Sequence, residues 1–202
     1  MAMKKPFAFG CLVVVLLIVL GGVFYVTGIY NSLVGLDQKV QSQWAQVENT
    51  YQRRADLIPN LVETVKGAAA FEKDTYTAVT EARAKVGQVQ VNAGQLTPDA
   101  FAKFQAAQDG LSSALSRLLV VVEKYPDLKA TENFKELQAQ LEGTENRITV
   151  ERQRFNEAAQ AFNTRRNRFP AVLVANLFGA KFAEKPYFKA QAGAETAPKV
   201  KF

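Results

Sequence analysis

The densest grouping of residues able to do chemistry is Arg53-Arg54-Ala55-Asp56-Leu57-Ile58-Pro59-Asn60-Leu61. Two guanidinium groups, a carboxylate and an amide crowd around a proline inside an apolar helical stretch. One reading is a recognition patch. The other is a structural lock, in which Asp56 caps a helix restarting after a proline kink and an arginine pairs with it or with a neighbouring carboxylate. On a continuous helix Arg53 and Asn60 point away from the apolar stripe while Arg54 and Asp56 flank it, which favours the lock. A second grouping is Glu142, Glu145, Asn146, Arg147, Arg152 and Asn156. Glu142 and Glu145, three apart, share a helix face, but bundle sites that hold two metals draw on Glu-x-x-His. The chain contains no histidine, so ion pairs are the better reading. A third is the basic cluster Arg165, Arg166 and Arg168 beside Phe169. It either complements a helix C-terminus or contacts acidic phospholipid heads or an acidic partner.

The lack of histidine also removes Ser-His-Asp, Cys-His and imidazole-based proton-transfer chemistry. The sole cysteine, Cys11, excludes an intrachain disulfide. Phosphate-binding glycine loops, nucleophile elbows and zinc spacings do not occur. No catalytic, cofactor-binding or metal-ligating residue is therefore assigned, and the reading is of a non-enzyme with no small-molecule substrate. The formal charge is +6 over 202 residues. Lys4 and Lys5 supply two of those charges and the remainder is mixed in sign, without the basic stripe that nucleic-acid binding needs.

These residues hang on a simple frame. Residues 7–29 (FAFGCLVVVLLIVLGGVFYVTGI) carry no charge. As a helix they reach a little over about 30 Å, enough to cross a bilayer. The run is longer than the apolar core of a signal peptide and lacks a good A-x-A site, so it reads as a transmembrane helix behind a short basic tail, residues 1–6. Lys4 and Lys5 outweigh Lys39 beyond the span, which points to a cytoplasmic N-terminus and an exported domain. Gly21, Gly28 and Gly35 are spaced by seven and share a face. Small residues let membrane helices approach closely, so this face is either a packing groove for another helix or a chance feature of an apolar segment.

Beyond the span, Leu36, Val40, Trp44, Val47, Tyr51, Ala55, Ile58, Val62, Val65 and Ala69 recur at threes and fours, one helical stripe continuous with the anchor. Pro59 predicts a kink or restart within it. Residues 87–97 read as a loop, and Thr97-Pro98-Asp99 as a capped helix start. Phe101, Phe104, Gln108, Leu111, Leu115, Leu118, Val122 and Tyr125 form the next stripe. A third long helix begins near Thr131. Phe134, Leu141, Ile148, Phe155, Phe162 and Phe169 fall at every seventh position, a coiled-coil-like seam. Residues 171–178 are a short apolar segment, either a cap on the bundle or an interfacial helix. The prediction is an all-α protein: a transmembrane helix continuing into an antiparallel up-and-down bundle of about four long helices over residues 30–182. Residues 183–202 are expected to form a flexible tail. The even stripes weigh against a polar pocket in the core.

Four segments resemble the LemA family of bacterial membrane proteins: Tyr30-Asn31-Ser32-Leu33-Val34, the Arg53–Val62 run, Asn133-Phe134-Lys135-Glu136-Leu137 with Leu141-Glu142-Gly143-Thr144-Glu145-Asn146-Arg147-Ile148, and Phe155-Asn156 leading to Phe169-Pro170. Phe155 where tyrosine is usual, the Arg165-Arg166 pair and the stretch after Phe178 depart from the pattern. The resemblance implies a helical bundle behind one membrane helix in the bacterial cytoplasmic membrane. It supplies no activity and no catalytic residues. Relatives are associated with membrane-organelle formation or with membrane proteases. The expectation is a self-associating, homo-oligomeric scaffold that organises or shapes membrane lipid, or else an adaptor for a membrane protease or other envelope partner.

Overall fold

A computed structural model describes residues 5–67, 72–89, 91, 93, 94 and 96–189, with residues 5–9 described by backbone alone. The elements are α1 (Lys5–Lys66), α2 (Lys73–Gln88), α3 (Pro98–Val122), α4 (Pro126–Ala130), α5 (Glu132–Asn167), α6 (Ala171–Leu177) and a 3₁₀ turn (Gly179–Phe182). No strand occurs among the described residues. The all-α, up-and-down prediction holds: α1 and α3 run one way, α2 and α5 the other. Thr97 and Thr131 cap α3 and α5, each hydroxyl accepting a backbone N–H three residues on, from Ala100 and Phe134.

Helix α1 is the spine. Residues 10–28 are exposed on every side, and Ile29 is the first to be buried. From there the predicted stripe from Val40 to Val65 faces inward. The apolar segment thus stands clear of the bundle while sharing one unbroken helix with its core. It is the one described helix long and apolar enough to cross a membrane.

The predicted restart at Pro59 does not occur. The helix passes through Pro59 and ends after Lys66, so the four long helices are divided differently from the prediction. Proline lacks the N–H that would bond the Ala55 carbonyl one turn back. Arg83 of α2 takes its place, its Nε donating to that carbonyl at 2.9 Å. Asp56 caps nothing; it is exposed and accepts from Gln52 Nε2 at 2.7 Å.

The interior divides into two apolar clusters. The one adjoining the free apolar segment, called membrane-side after that candidate span, gathers Trp44, Tyr51, Phe101, Phe104, Phe155, Phe162, Phe182 and Phe188 with smaller residues. The distal one is mainly aliphatic, including Ile58, Leu61, Val65, Val79, Leu111, Leu118 and Leu141. Helix α2 covers only the distal half, because it ends at Gln88 near the level of Tyr51. The membrane-side half is closed by the loop after α2, by α6, and by residues 183–189.

That last segment corrects the expected tail. Residues 183–189 pack along α5, with Lys185 and Phe188 buried; residues 190–202 lie outside the described residues. Asn163 Nδ2 donates to the Lys185 carbonyl and its Oδ1 accepts from the Lys185 N–H, both at 2.9 Å. Asn156 holds Phe188 in the same two-way manner at 3.0 and 2.9 Å. The spacing explains the fit. Seven helical residues rise about 10.5 Å, which three residues span only near full extension. Arg152 adds a bond to the Lys189 carbonyl at 2.7 Å.

Candidate functional site: a polar layer, a glycine face and the membrane-side end

The Arg53–Leu61 cluster does not assemble into one site. Only Arg54 turns inward, and it is 1% exposed; Arg53, Asp56, Pro59 and Asn60 lie on the outer surface of α1. Arg54 lies at the level where the two apolar clusters meet. Its Nη1 donates to Ser112 Oγ at 2.8 Å and to Glu145 Oε2 at 2.9 Å. Its Nη2 donates to Gln108 Oε1 at 2.6 Å and to the Gln108 carbonyl at 3.3 Å. The guanidinium also lies over the Tyr51 ring, 5.0 Å from its centre. One side chain on α1 therefore ties α3 and α5 together through charge-assisted bonds. The stripes did not anticipate this polar layer, although Gln108 stood in one of them. Glu142, the other acid of its pair, accepts from Gln138 instead, at 2.9 Å.

Beside the layer, Glu48, Tyr51, Arg83 and Gln108 line part of a cavity of about 530 Å³. Burial raises the Glu48 carboxyl above its ordinary pKa, with the nearby Trp44 indole pulling the other way. Burial likewise raises the Tyr51 hydroxyl, against the charges of Arg152 and Arg54.

Gly21, Gly28 and Gly35 are exposed. A methyl group added at any of them would meet nothing within 4 Å. Gly28 and Gly35 lie on α1 opposite to Leu33 and Val40, which are buried in the bundle, so the glycine face is turned away from the protein's own core.

The three arginines separate. Arg166 is half-buried and bonded within the fold: its Nε donates to the Phe182 carbonyl at 2.6 Å and its Nη1 lies 3.7 Å from Glu184. Arg165 Nε reaches Ser32 Oγ at 3.3 Å, and Arg168 is exposed. This end of α5 therefore sits beside the point where α1 leaves the bundle. Lys181 bonds the Tyr30 hydroxyl. Lys185, nearly buried, pairs with Asp37 at 2.6 Å. Phe169, the last residue of the predicted seam, is exposed because α5 ends at Asn167. Helix α6 caps the bundle through Ala171, Val174 and Ala175, yet Leu173 and Leu177 point outward. Gly179, at φ +50°, adopts the left-handed turn that lets the chain leave α6 for the 3₁₀ turn.

Sequence reasoning missed Asp37, Arg83, Asn163 and Lys185. Asp37 was findable, since a carboxylate among the apolar positions of a stripe needs a partner. Asn156 and Asn163, seven apart beside the Phe155 and Phe162 seam, were also legible as a pair. Arg83 gave no signal, because its role depends on a carbonyl freed in another helix.

A family model described as the LemA family matches residues 43–202, which includes the bundle from Trp44 onward. Among curated relatives, Magnetosome protein MamQ 1 of Paramagnetospirillum magneticum is 28% identical over 184 residues, covering 83% of this chain and 67% of that protein. Magnetosome protein MamQ of Magnetospirillum gryphiswaldense is 29% identical over 178 residues, covering 78% and 65%. Protein LemA of Metamycoplasma hominis is 23% identical over 169 residues, covering 81% and 74%. The chain spans about two thirds of the length of the MamQ proteins it matches. With the family model matching residues 43–202, from the middle of α1 through α6 and beyond, the chain belongs to the LemA family.

Proposed function

We propose that this protein is a non-enzymatic membrane scaffold that self-associates through its anchor and so fixes how its bundles are arrayed on the bilayer. The observation that carries this reading is the continuity of α1: residues 10–28 stand outside the fold and lead without a break into the core from Ile29 onward. A rigid connection transmits the geometry of packed anchors to the bundles, where a flexible linker would not. The open face at Gly21, Gly28 and Gly35 supplies a surface for close helix approach. Relatives named as magnetosome proteins support a structural part in place of a catalytic one. The bundle is taken to be exported from the cytoplasmic membrane, with the N-terminus inside.

The test is the particle mass in mild detergent. Several copies per particle are expected, and Gly28→Ile, whose Cβ would meet nothing within 4 Å in the single chain, should shift the population to single copies with helicity by circular dichroism unchanged. A strictly monomeric particle at every concentration would sink the proposal. An adaptor for a membrane protease or other envelope protein is the second reading, favoured by the outer face of α1, where Arg53, Asp56, Pro59 and Asn60 are exposed. Purification with a stoichiometric foreign subunit, lost on Arg53→Glu, would support it over self-assembly.

A further inference from the structure

We infer that the membrane-side end of the bundle is a second lipid-contact surface, a collar that rests in the headgroup layer of an anionic bilayer around the exit of α1. The apolar part of the collar is Phe169, Leu173, Leu177 and Phe178, which are 81%, 60%, 78% and 41% exposed. Phe169, Leu173 and Leu177 point away from the core, which Ala171, Val174 and Ala175 close on the α6 side, while Phe178 rests partly on Tyr30 and Phe182. Leu173 and Leu177, four apart, lie side by side on its outer face. Elsewhere on the described bundle, Val120, Val150 and Tyr187 are exposed singly, as on an ordinary soluble surface, whereas a clustered apolar patch marks a contact.

Position identifies the occupant. Helices α1 and α5 are antiparallel, with Glu145 facing Arg54 and Arg165 facing Ser32. Carrying that register to the last residue of α5 brings Asn167 level with about Tyr30, just beyond the end of the free apolar rod, and Phe169 follows two residues later. Phe178 lies 4.8 Å from Tyr30 between ring centres, two positions beyond the rod. Phe24 and Tyr25, both exposed, place aromatic rings just inside the same boundary, where bilayers favour them. Charge agrees with the position. Arg165 is bonded to a serine and Lys181 to a tyrosine. Arg168 is exposed, and no ion pair with a carboxylate is recorded for any of the three among the described residues. The exposed cations Arg168 and Lys181, with half-buried Arg165, beside exposed apolar side chains suit acidic phospholipid heads over acyl chains.

The inference rests on the membrane-anchor part of the proposed function and not on self-association. The full chain carrying Cys11→Ser receives single labelling sites by Leu177→Cys, Val120→Cys or Leu16→Cys, each bearing an environment-sensitive fluorophore. Each variant is placed in phosphatidylcholine nanodiscs with or without phosphatidylglycerol. The label at 177 should be quenched by nitroxide carried near the lipid headgroups. It should also be about fivefold better protected from aqueous iodide than the label at 120, as an interfacial apolar face requires. Omitting phosphatidylglycerol, or adding Arg168→Glu, should weaken that protection about twofold. Iodide access at 177 equal to that at 120, with the label at 16 still in lipid, overturns the collar and leaves the anchor standing. Loss of lipid quenching at 16 as well overturns both. Protection at 177 without lipid quenching, growing with protein concentration, assigns the patch to a second copy and also overturns the lipid collar.

Discussion

The two halves of the bundle are built on different principles. The distal half is helix against helix: aliphatic side chains of α1, α2, α3 and α5 fill a regular space, as ridges and grooves require. The membrane-side half has no α2. There α1, α3 and α5 are closed off by a loop, a short helix, a 3₁₀ turn and the segment 183–189, and the irregular space between them is filled by aromatic rings. Trp44 touches Phe104 and Phe155 edge-on, with ring centres 5.1 and 5.6 Å apart, and Phe188 lies parallel to it at 6.2 Å. Large planar groups bury much area each and meet one another at many angles, so they can seal walls that are not regular. The irregular half carries the arginine and lysine contacts around the exit of α1. The regular half holds its shape at a distance.

Truncating one ring should therefore cost more than truncating one aliphatic residue. Trp44→Ala is expected to destabilise by about 3–5 kcal/mol and Leu118→Ala by about 2–4 kcal/mol, read from thermal unfolding in detergent. Hydrogen exchange should sharpen the contrast, with residues 183–189 losing protection only in Trp44→Ala. Equal costs with the same exchange pattern would break the comparison. Arg54→Ala removes the link between the halves and should cost about 2–4 kcal/mol. Glu145 can return to water, but the Gln108 amide stays buried beside a void. Pairing Arg54→Met with Gln108→Leu should recover most of that loss, because a packed apolar layer can replace a polar one. If the double variant is no better than Arg54→Ala, the layer is required for more than its hydrogen bonds.

Asn163→Ala should cost about 1–3 kcal/mol by stranding the Lys185 backbone groups, with loosening confined to the membrane-side half. Glu48→Gln is the smallest effect. The folded-state pKa of Glu48 is raised, so its contribution is fully present below the unfolded value and is lost as pH rises through the folded one. The variant should therefore gain slightly in melting temperature at neutral pH and lose that advantage in acid. A parallel pH profile for both proteins would remove burial as the cause.

The stripes on α1, α3 and α5 were legible because each is periodic along a single helix, and Val40, Leu111 and Ile148 are buried as their spacing requires. Thr97 and Thr131 marked helix starts for an equally local reason. Pro59 misled because its cost is local while its relief, Arg83, comes from another helix. Arg54 reads as flanking its stripe in a local lock, yet it is buried and pairs with Glu145 on another helix, while Arg166 is half-buried and bonds the Phe182 carbonyl. The segment 183–189 reads as a tail because no helical stripe runs through it. It is held by the buried Phe188 ring, by the Lys185–Asp37 pair and by two asparagines whose spacing on α5 matches an extended chain.

By itself the sequence determined the all-α class, the free apolar rod and its continuity with the first bundle helix, since periodicity and hydropathy are properties of consecutive residues. Tertiary structure alone decided which arginine locks the core, what closes the membrane-side half, and that the collar meets the rod at one level. Those outcomes depend on side chains brought together from up to 151 residues apart, as Tyr30 and Lys181 are. No local pattern records such a meeting.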